Sequence, residues 1–301
     1  MKLGDLGEDS LLDEIAVELA RGNTRKIFGG LRDDCAIVQM PEAKDSLVLK
    51  TDCVVEEVHF VRETKASHVG WKAMMRPLSD FAAASAVPRF ALITLIAPRQ
   101  TEIAWVKELY CGLRKSAEHF DVSIVGGETS STPGPIAVSV SVIGFVEHRR
   151  AVSRRGGRPG DKLFVTGRLG GGMKQKHLKF VPRIVESRWL TQNFCIHAMM
   201  DLSDGLGADL PRLARASNVG FNIDVERLPL ARGATVSAAI AAGEDYELLF
   251  AISPRDEIHL ANAWRRKFPK LSLTRIGSLS TNSRSEKRKL PLGYIHFQQR
   301  S

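Results

Sequence analysis

The stretch Asp201-Leu202-Ser203-Asp204-Gly205-Leu206-Gly207-Ala208-Asp209 crowds three carboxylates and a hydroxyl around two glycines. Oxygen donors this dense suit two jobs. Ser203 or Asp204 can cap the helix announced by the spacing of Leu206, Leu210, Leu213 and Ala214, with Asp201 at the end of a strand or in a turn before it. Alternatively, the carboxylates can hold a magnesium ion beside a phosphate, since magnesium takes hard oxygen ligands. Similar acids recur far along the chain: Asp33-Asp34, Thr51-Asp52, Asp80, Gly126-Gly127-Glu128 and Gly243-Glu244-Asp245. Adjacent aspartates repel and invite a cation, although Asp33 can also serve an Asx turn. Asp80 falls among apolar and small residues of a helix pattern, where a carboxylate is costly unless paired or metal-bound. His59 follows the acids Glu56-Glu57 and is a candidate phosphate or substrate contact; a lone histidine can equally be structural.

Other chemistries find no support. No Ser-His-Asp order, nucleophilic-cysteine motif, Walker A or G-x-G-x-x-G is present, and Gly170-Gly171-Gly172 alone reads as a flexible turn. The four cysteines, Cys35, Cys53, Cys111 and Cys195, are scattered, which argues against zinc and disulfides and for a reducing cytoplasm. The chain has 301 residues, 44% hydrophobic and 26% charged, the balance of a water-soluble protein of two domains. No apolar run approaches the roughly 20 residues of a membrane span, and the N-terminus has no signal-peptide core. The net charge of +9 gathers at Arg149-Arg150, Arg154-Arg155, Arg158, Arg265-Arg266-Lys267 and residues 284–289. No nucleic-acid motif accompanies these clusters, so anionic metabolites are the expected partners and nucleic acid is not. Arg154-Arg155 could meet a phosphate tail directly.

Strands and helices that would position the acids alternate along the chain. Helix patterns cover residues 9–20, 67–86, 102–120 and 256–267; Pro77 should kink or interrupt the second. Strand patterns cover 46–50, ending at Thr51-Asp52, and 122–125, ending at Gly126-Gly127-Glu128, with further strands at 90–97, 135–146, 162–166, 220–225 and 271–276. The Gly/Pro/Arg-rich stretch 154–161 separates two α/β units. Several magnesium ions around a polyphosphate would explain so many acids in a basic protein, which points to phosphoryl transfer without a Walker A.

The chain resembles the thiamine-monophosphate kinase family of the AIR-synthetase-like ATP-binding superfamily. The matching stretches, in family order, are Leu6-Gly7-Glu8, Asp33-Asp34-Cys35-Ala36, Thr51-Asp52, Val58-His59-Phe60, Gly70-Trp71-Lys72-Ala73, Leu78-Ser79-Asp80, Gly126-Gly127-Glu128-Thr129, Arg158-Pro159-Gly160-Asp161, Val165-Thr166-Gly167, Pro182-Arg183-Ile184, Met200-Asp201-Leu202-Ser203-Asp204-Gly205-Leu206 and Gly243-Glu244-Asp245-Tyr246-Glu247-Leu248. The resemblance implies a two-domain AIR-synthetase-like α/β (α+β) fold: residues 1–148, carrying the magnesium/ATP site and a sheet that forms a homodimer interface, and residues 149–301, a C-terminal α/β domain. It implies transfer of the γ-phosphoryl group of ATP, with Mg2+, onto thiamine monophosphate to give thiamine diphosphate, in the cytoplasm and without membrane or nucleic-acid partners. The implied metal ligands are Asp34, Thr51, Asp52, Asp80, Glu128, Asp201 and Asp204. The implied ATP contacts are Gly127, Glu128, Arg154 and Ser203, and the implied substrate contacts His59, Glu244 and Tyr294. No catalytic residue beyond the metal and phosphate ligands is implied, because the nucleophile is a phosphate oxygen already ionised near neutral pH. The family pattern is broken at Arg32 (glycine), Lys50 (serine), Pro77 (asparagine), Glu128 (aspartate) and Ala242 (glycine), and the segment between Gly172 and Pro182 is short. These departures leave open a non-catalytic or weakly active dimeric nucleotide binder, and the superfamily leaves open another ATP-dependent enzyme.

Overall fold

The computed structural model describes residues 8–20, 27–30, 33–40, 43–172 and 176–281. Arg32, Tyr294 and the basic run 284–289 lie outside the described residues. The first half contains α1 (Glu8–Ala20), β1 (Ile27–Gly29), β2 (Ala36–Gln39), β3 (Asp45–Val55), α2 (Ala66–Ala83), β4 (Val87–Ala97), α3 (Ile103–His119), β5 (Ser123–Ser131) and β6 (Ala137–Glu147). The second contains β7 (Lys162–Thr166), α4 (Ile184–Asn193), β8 (Ile196–Asp201), α5 (Leu206–Ala216), β9 (Gly220–Ile223), α6 (Val236–Ala241), β10 (Leu248–Ile252), α7 (Glu257–Lys267) and β11 (Leu273–Ser280).

Each half builds its own sheet. Six strands run in the order β1-β2-β3-β6-β4-β5, and five in the order β8-β10-β7-β11-β9. Pairing is antiparallel except between β4 and β5. These two are joined through α3, the helical crossover that a parallel pair requires.

Both sheets follow from strand alternation. In β3, β4 and β6 one face, with Val48, Val54, Ala91, Ile93, Val138, Val140 and Val142, is buried against the helices. The other face leaves Phe90, Leu92 and Phe145 exposed. The second sheet is covered on both sides: Phe164 and Phe250 enter one apolar core, and Leu163, Val165 and Leu249 the other, beside Leu206, Leu210, Leu213 and Ala214 of α5.

Helix α2 lies between the two halves, packing on α3, α4, β3, β6 and β8. A Cβ on Gly70 would sit 2.1 Å from the carbonyl oxygen of Leu109, so the absence of a side chain lets α2 meet α3 backbone to backbone. Pro77 does not interrupt α2, which runs unbroken to Ala83. A proline removes one N–H···O bond, and burial along nearly the whole helix holds the remaining turns in place.

Two strands run further than their sequence patterns imply. Antiparallel pairing with β6 carries β3 through Thr51 and Asp52 to Val55. Parallel pairing with β4 carries β5 through Gly126, Gly127 and Glu128 to Ser131. Thr51, Asp52 and Glu128 therefore lie inside strands rather than at their ends, because a neighbouring strand supplies hydrogen-bond partners that local sequence does not reveal.

The halves are also clamped by charge. Arg188 of α4 donates two 2.7 Å bonds to the Glu147 carboxylate at the end of β6, and a third, also 2.7 Å, to the Ser85 carbonyl. Hydrogen bonding from Arg188 lowers the Glu147 pKa from 4.5 to about 2, against a smaller opposing effect of burial. A depressed carboxylate contributes stability above its unfolded pKa and loses that contribution as pH falls through the folded one. Urea midpoints should therefore separate wild type from Glu147→Gln at pH 7, and the gap should narrow between pH 4.5 and 2. A gap independent of pH would show that the pair contributes no such linkage.

Candidate functional site

The acids converge where the two halves meet. Asp34 precedes β2, Asp80 sits near the end of α2, and Asp201 is the last residue of β8. All three are buried, and they offer carboxylate oxygens within 4.8 Å of one another. Such hard oxygens, brought together from three separate elements, are the donor set that a divalent cation takes.

Each acid of this region has a partner. Arg154 donates to Asp34 at 2.7 and 3.2 Å, and its backbone N–H donates to Asp33 at 2.9 Å. The Lys50 ammonium lies 3.1 Å from Asp80. The Ser79 hydroxyl donates to Asp201 at 2.6 Å. Arg76 bonds Asp52 at 3.1 and 3.2 Å, and Arg212 bonds both Asp204 and Asp209.

Burial and crowding disturb these groups. Burial, reinforced by Asp34, pushes Asp201 up to about 7 and Asp33 up to about 6. Burial also pushes Asp80 above its ordinary value, and Lys50 is the first group to oppose the rise. At Asp52 burial pushes upward, but Arg76 and Lys50 outweigh it and carry the carboxyl below its ordinary value. Burial works against the charge of Lys50, yet Asp80 and then Asp52 raise its pKa.

Beside the acids, a cavity of about 600 Å³ opens between the halves, lined among others by Glu57, His59, Glu63, Arg76, Ser203, Asp204, Glu244 and Tyr246. That size fits a small-molecule site. At its edge Lys72 of α2, itself fully buried, donates to Glu244 at 2.6 Å, to the His59 carbonyl at 2.7 Å and shares a 2.8 Å bond with His177. Burial lowers the Lys72 pKa, and Glu244 opposes the fall. His59 accepts the Val55 N–H at Nδ1, 3.0 Å away, which fixes its ring. Phe180 stacks on Tyr246 with centroids 3.8 Å apart, and Trp71 donates to the Phe180 carbonyl.

The structure thus brings Asp34, Asp80 and Asp201 together, with Asp52 and Asp204 on neighbouring arginines. Thr51 lies on the other side of β3, where its hydroxyl meets those of Ser139 and Ser141 at 3.4 and 3.0 Å. Gly127 and Glu128 are exposed on the edge strand β5. Ser203 lines the cavity, and Arg154 is engaged by Asp34.

Neither Ser203 nor Asp204 caps α5. The N-cap is Gly205, without a side-chain cap bond, and Asp209 reaches back to accept the Asp204 N–H at 3.0 Å. Ala242 needs no glycine, because its φ of −73° is helical. The roles of Lys72, Arg76 and His177 escaped sequence reasoning; the only signal was Lys72 inside the Gly70-Trp71-Lys72-Ala73 motif.

Two family models of AIR synthase related proteins match the chain, the N-terminal domain over residues 32–146 and the C-terminal domain over residues 173–277. Fold and site together define a two-domain protein of this class. Thiamine-monophosphate kinase of Aquifex aeolicus is 33% identical, with 99% of this chain and 100% of that protein covered. Its counterpart in Rhodopirellula baltica is 35% identical over 78% of this chain and 80% of its own length. A solved structure of AaThiL complexed with AMPPCP and TMP matches with a TM-score of 0.83 at 32% identity, covering 98% of this chain and 99% of that one. Escherichia coli HypE, a hydrogenase maturation protein, matches with a TM-score of 0.66 at 19% identity over 78% of this chain and 80% of that one, a likeness of fold. The chain belongs to the thiamine-monophosphate kinase family.

The glycine-rich loop after β7 wraps two buried carboxylates. Asp245 accepts the backbone N–H groups of Gly170, Gly171 and Gly172 at 2.7, 3.1 and 3.2 Å. Glu247 takes two 2.7 Å bonds from Arg183, one of 2.9 Å from Thr166 and one of 3.1 Å from Lys176. Gly167 has a φ of +61°, and a Cβ there would lie 2.2 Å from a Glu247 oxygen. Gly167→Ala should lower the unfolding free energy by about 1–3 kcal/mol, as overpacking does. Urea denaturation checks this; an unchanged midpoint would mean that Glu247 moves aside without loss.

Proposed function

We propose that this chain transfers the γ-phosphoryl group of ATP onto thiamine monophosphate, giving thiamine diphosphate. The observation that carries the reading is the buried trio Asp34, Asp80 and Asp201, with a cavity between the halves lined by Arg76, Ser203, Asp204 and Glu244, in a chain similar along nearly its whole length to a kinase relative solved with AMPPCP and TMP.

Asp34, Asp80 and Asp201 would hold magnesium, with Asp52 and Asp204 as neighbouring ligands oriented by Arg76 and Arg212. Bound magnesium would neutralise phosphate oxygens and the charge that develops on them. The acceptor phosphate is already ionised, so the protein's task is to bind and orient both phosphates. Glu57, Glu63 and Glu244 line the cavity and suit a cationic thiazolium, and Lys72 and His177 orient Glu244. His59 and Ser203, also lining the cavity, are assigned to substrate and nucleotide, and Arg154 to the phosphate tail. Thr51 is left out of the metal set because its hydroxyl faces away from the trio. Gly127 and Glu128 remain assigned to nucleotide, with Glu128 as a further metal ligand, on the exposed edge. Tyr294 keeps its assignment to substrate.

The chain divides, in this proposal, into domains 1–148 and 149–301, works in the cytoplasm and forms a homodimer. Among the described residues no helix is long and apolar enough to cross a membrane. The open face of the first sheet, with Phe90 42%, Leu92 40% and Phe145 39% exposed, is an apolar surface that a second copy would cover. Sedimentation should give a dimer at micromolar concentration, and Leu92→Glu should shift it to a folded monomer. A monomeric wild type would remove the dimer.

The reaction itself is tested with purified protein, MgATP and thiamine monophosphate, product being resolved by chromatography. Wild type should form thiamine diphosphate, and Asp201→Asn should lower turnover by orders of magnitude while metal-free stability holds or rises as crowded negative charge is relieved. Absence of product from folded wild type would favour a non-catalytic nucleotide binder. Near-normal turnover in Asp201→Asn would remove the trio from the mechanism.

A further inference from the structure

Lys50 projects from β3 into the acid cluster. Alternation along β3 puts it on the same side as Val48 and Asp52, facing α2, and its ammonium lies 3.1 Å from Asp80. Its side chain is 25% exposed and that of Asp80 10%, so this is a pair held mostly out of water. Asp34 already has Arg154, and Asp201 has the Ser79 hydroxyl. Lys50 therefore supplies the charge that Asp80 receives at contact distance.

We infer that the Lys50 ammonium is a built-in cation of this site: it fills one cation position of the Asp34–Asp80–Asp201 cluster, so that the protein takes up one divalent ion fewer than it would with a neutral side chain at residue 50. The physical argument is charge balance. A buried carboxylate left without a partner is strongly destabilising, so the metal-free fold needs a positive group beside Asp80. An ammonium tethered by the main chain meets that need without mass action, whereas a free ion does so only at sufficient concentration. The same tethered charge repels a divalent ion from the oxygens it occupies. The inference rests on the reading of the trio as a divalent-cation site.

The test counts ions rather than turnover. Mn2+ is titrated into the full chain, alone and with a non-hydrolysable ATP analogue, and bound ion is counted by electron paramagnetic resonance. Thermal unfolding is followed in parallel with chelator and with Mn2+. Lys50→Met should bind one more Mn2+ per chain than wild type, or bind it at least about tenfold more tightly, as expected when a near-contact like charge is removed. It should melt lower than wild type in chelator and recover with Mn2+. The double variant Lys50→Met/Asp80→Asn, which removes both charges, should regain stability in chelator without the extra ion. Equal ion counts and affinities in wild type and Lys50→Met would overturn the inference while leaving the cation site standing. No Mn2+ bound by either protein would overturn both. Should Lys50→Met fail to fold in chelator, folding of the double variant supports the charge pairing. A double variant that also fails to fold assigns Lys50 to packing and overturns it.

Discussion

A buried carboxylate must be charge-compensated or neutral, and this constraint organises the meeting place of the two halves. Asp34, Asp52, Asp80, Asp204 and Asp209 each face an arginine or lysine, and Asp201 has a hydroxyl. The partners come from β3, α2, α5 and the stretch between the sheets. Arg154–Asp34 and Ser79–Asp201 join the two halves, as does Lys72–Glu244, so bringing the halves together is inseparable from assembling the site: moving either half by a few ångströms would break all three contacts.

Helix α2 carries much of that arrangement. It supplies Lys72, Arg76, Ser79 and Asp80 within three turns, Lys72 at the cavity edge, Arg76 between the cavity and Asp52, and Ser79 and Asp80 among the acids. Its apolar side chains belong to a core that also contains Phe164 and Phe250 of the second sheet. The same helix thus packs the domains against each other and spaces their charged groups. Its polar residues are tolerated in so buried a place because every one of these four bonds a named partner.

The positions that break the family pattern are absorbed in different ways. Pro77 forgoes one hydrogen bond inside a packed helix. Ala242 keeps a helical backbone and so loses nothing by carrying a Cβ. Glu128 stands exposed on an edge strand, where an extra methylene meets no crowding. Lys50 alone alters the charge among the described acids, and Asp80 is the group that answers it.

The sequence by itself determined the α/β class, the alternation of strands and helices, and the recurrence of acids in an order that identified the family. It could do so because strand and helix periods and glycine-flanked motifs are local properties, legible within a few residues. Its errors were local too: the strands read as ending at Thr51-Asp52 and at Gly126-Gly127-Glu128 run on to Val55 and Ser131, because the pairing that extends β3 and β5 is supplied by other strands. Only the tertiary structure decided which acids meet and what compensates them. Arg154 and Asp34 are 120 residues apart and Lys72 and Glu244 are 172 apart, separations across which no periodicity speaks. Thr51 and Asp52, adjacent in sequence, were parted by the pleat of one strand. Counter-charge acts through space over a few ångströms, so it depends on how the chain folds back on itself rather than on the order of its residues.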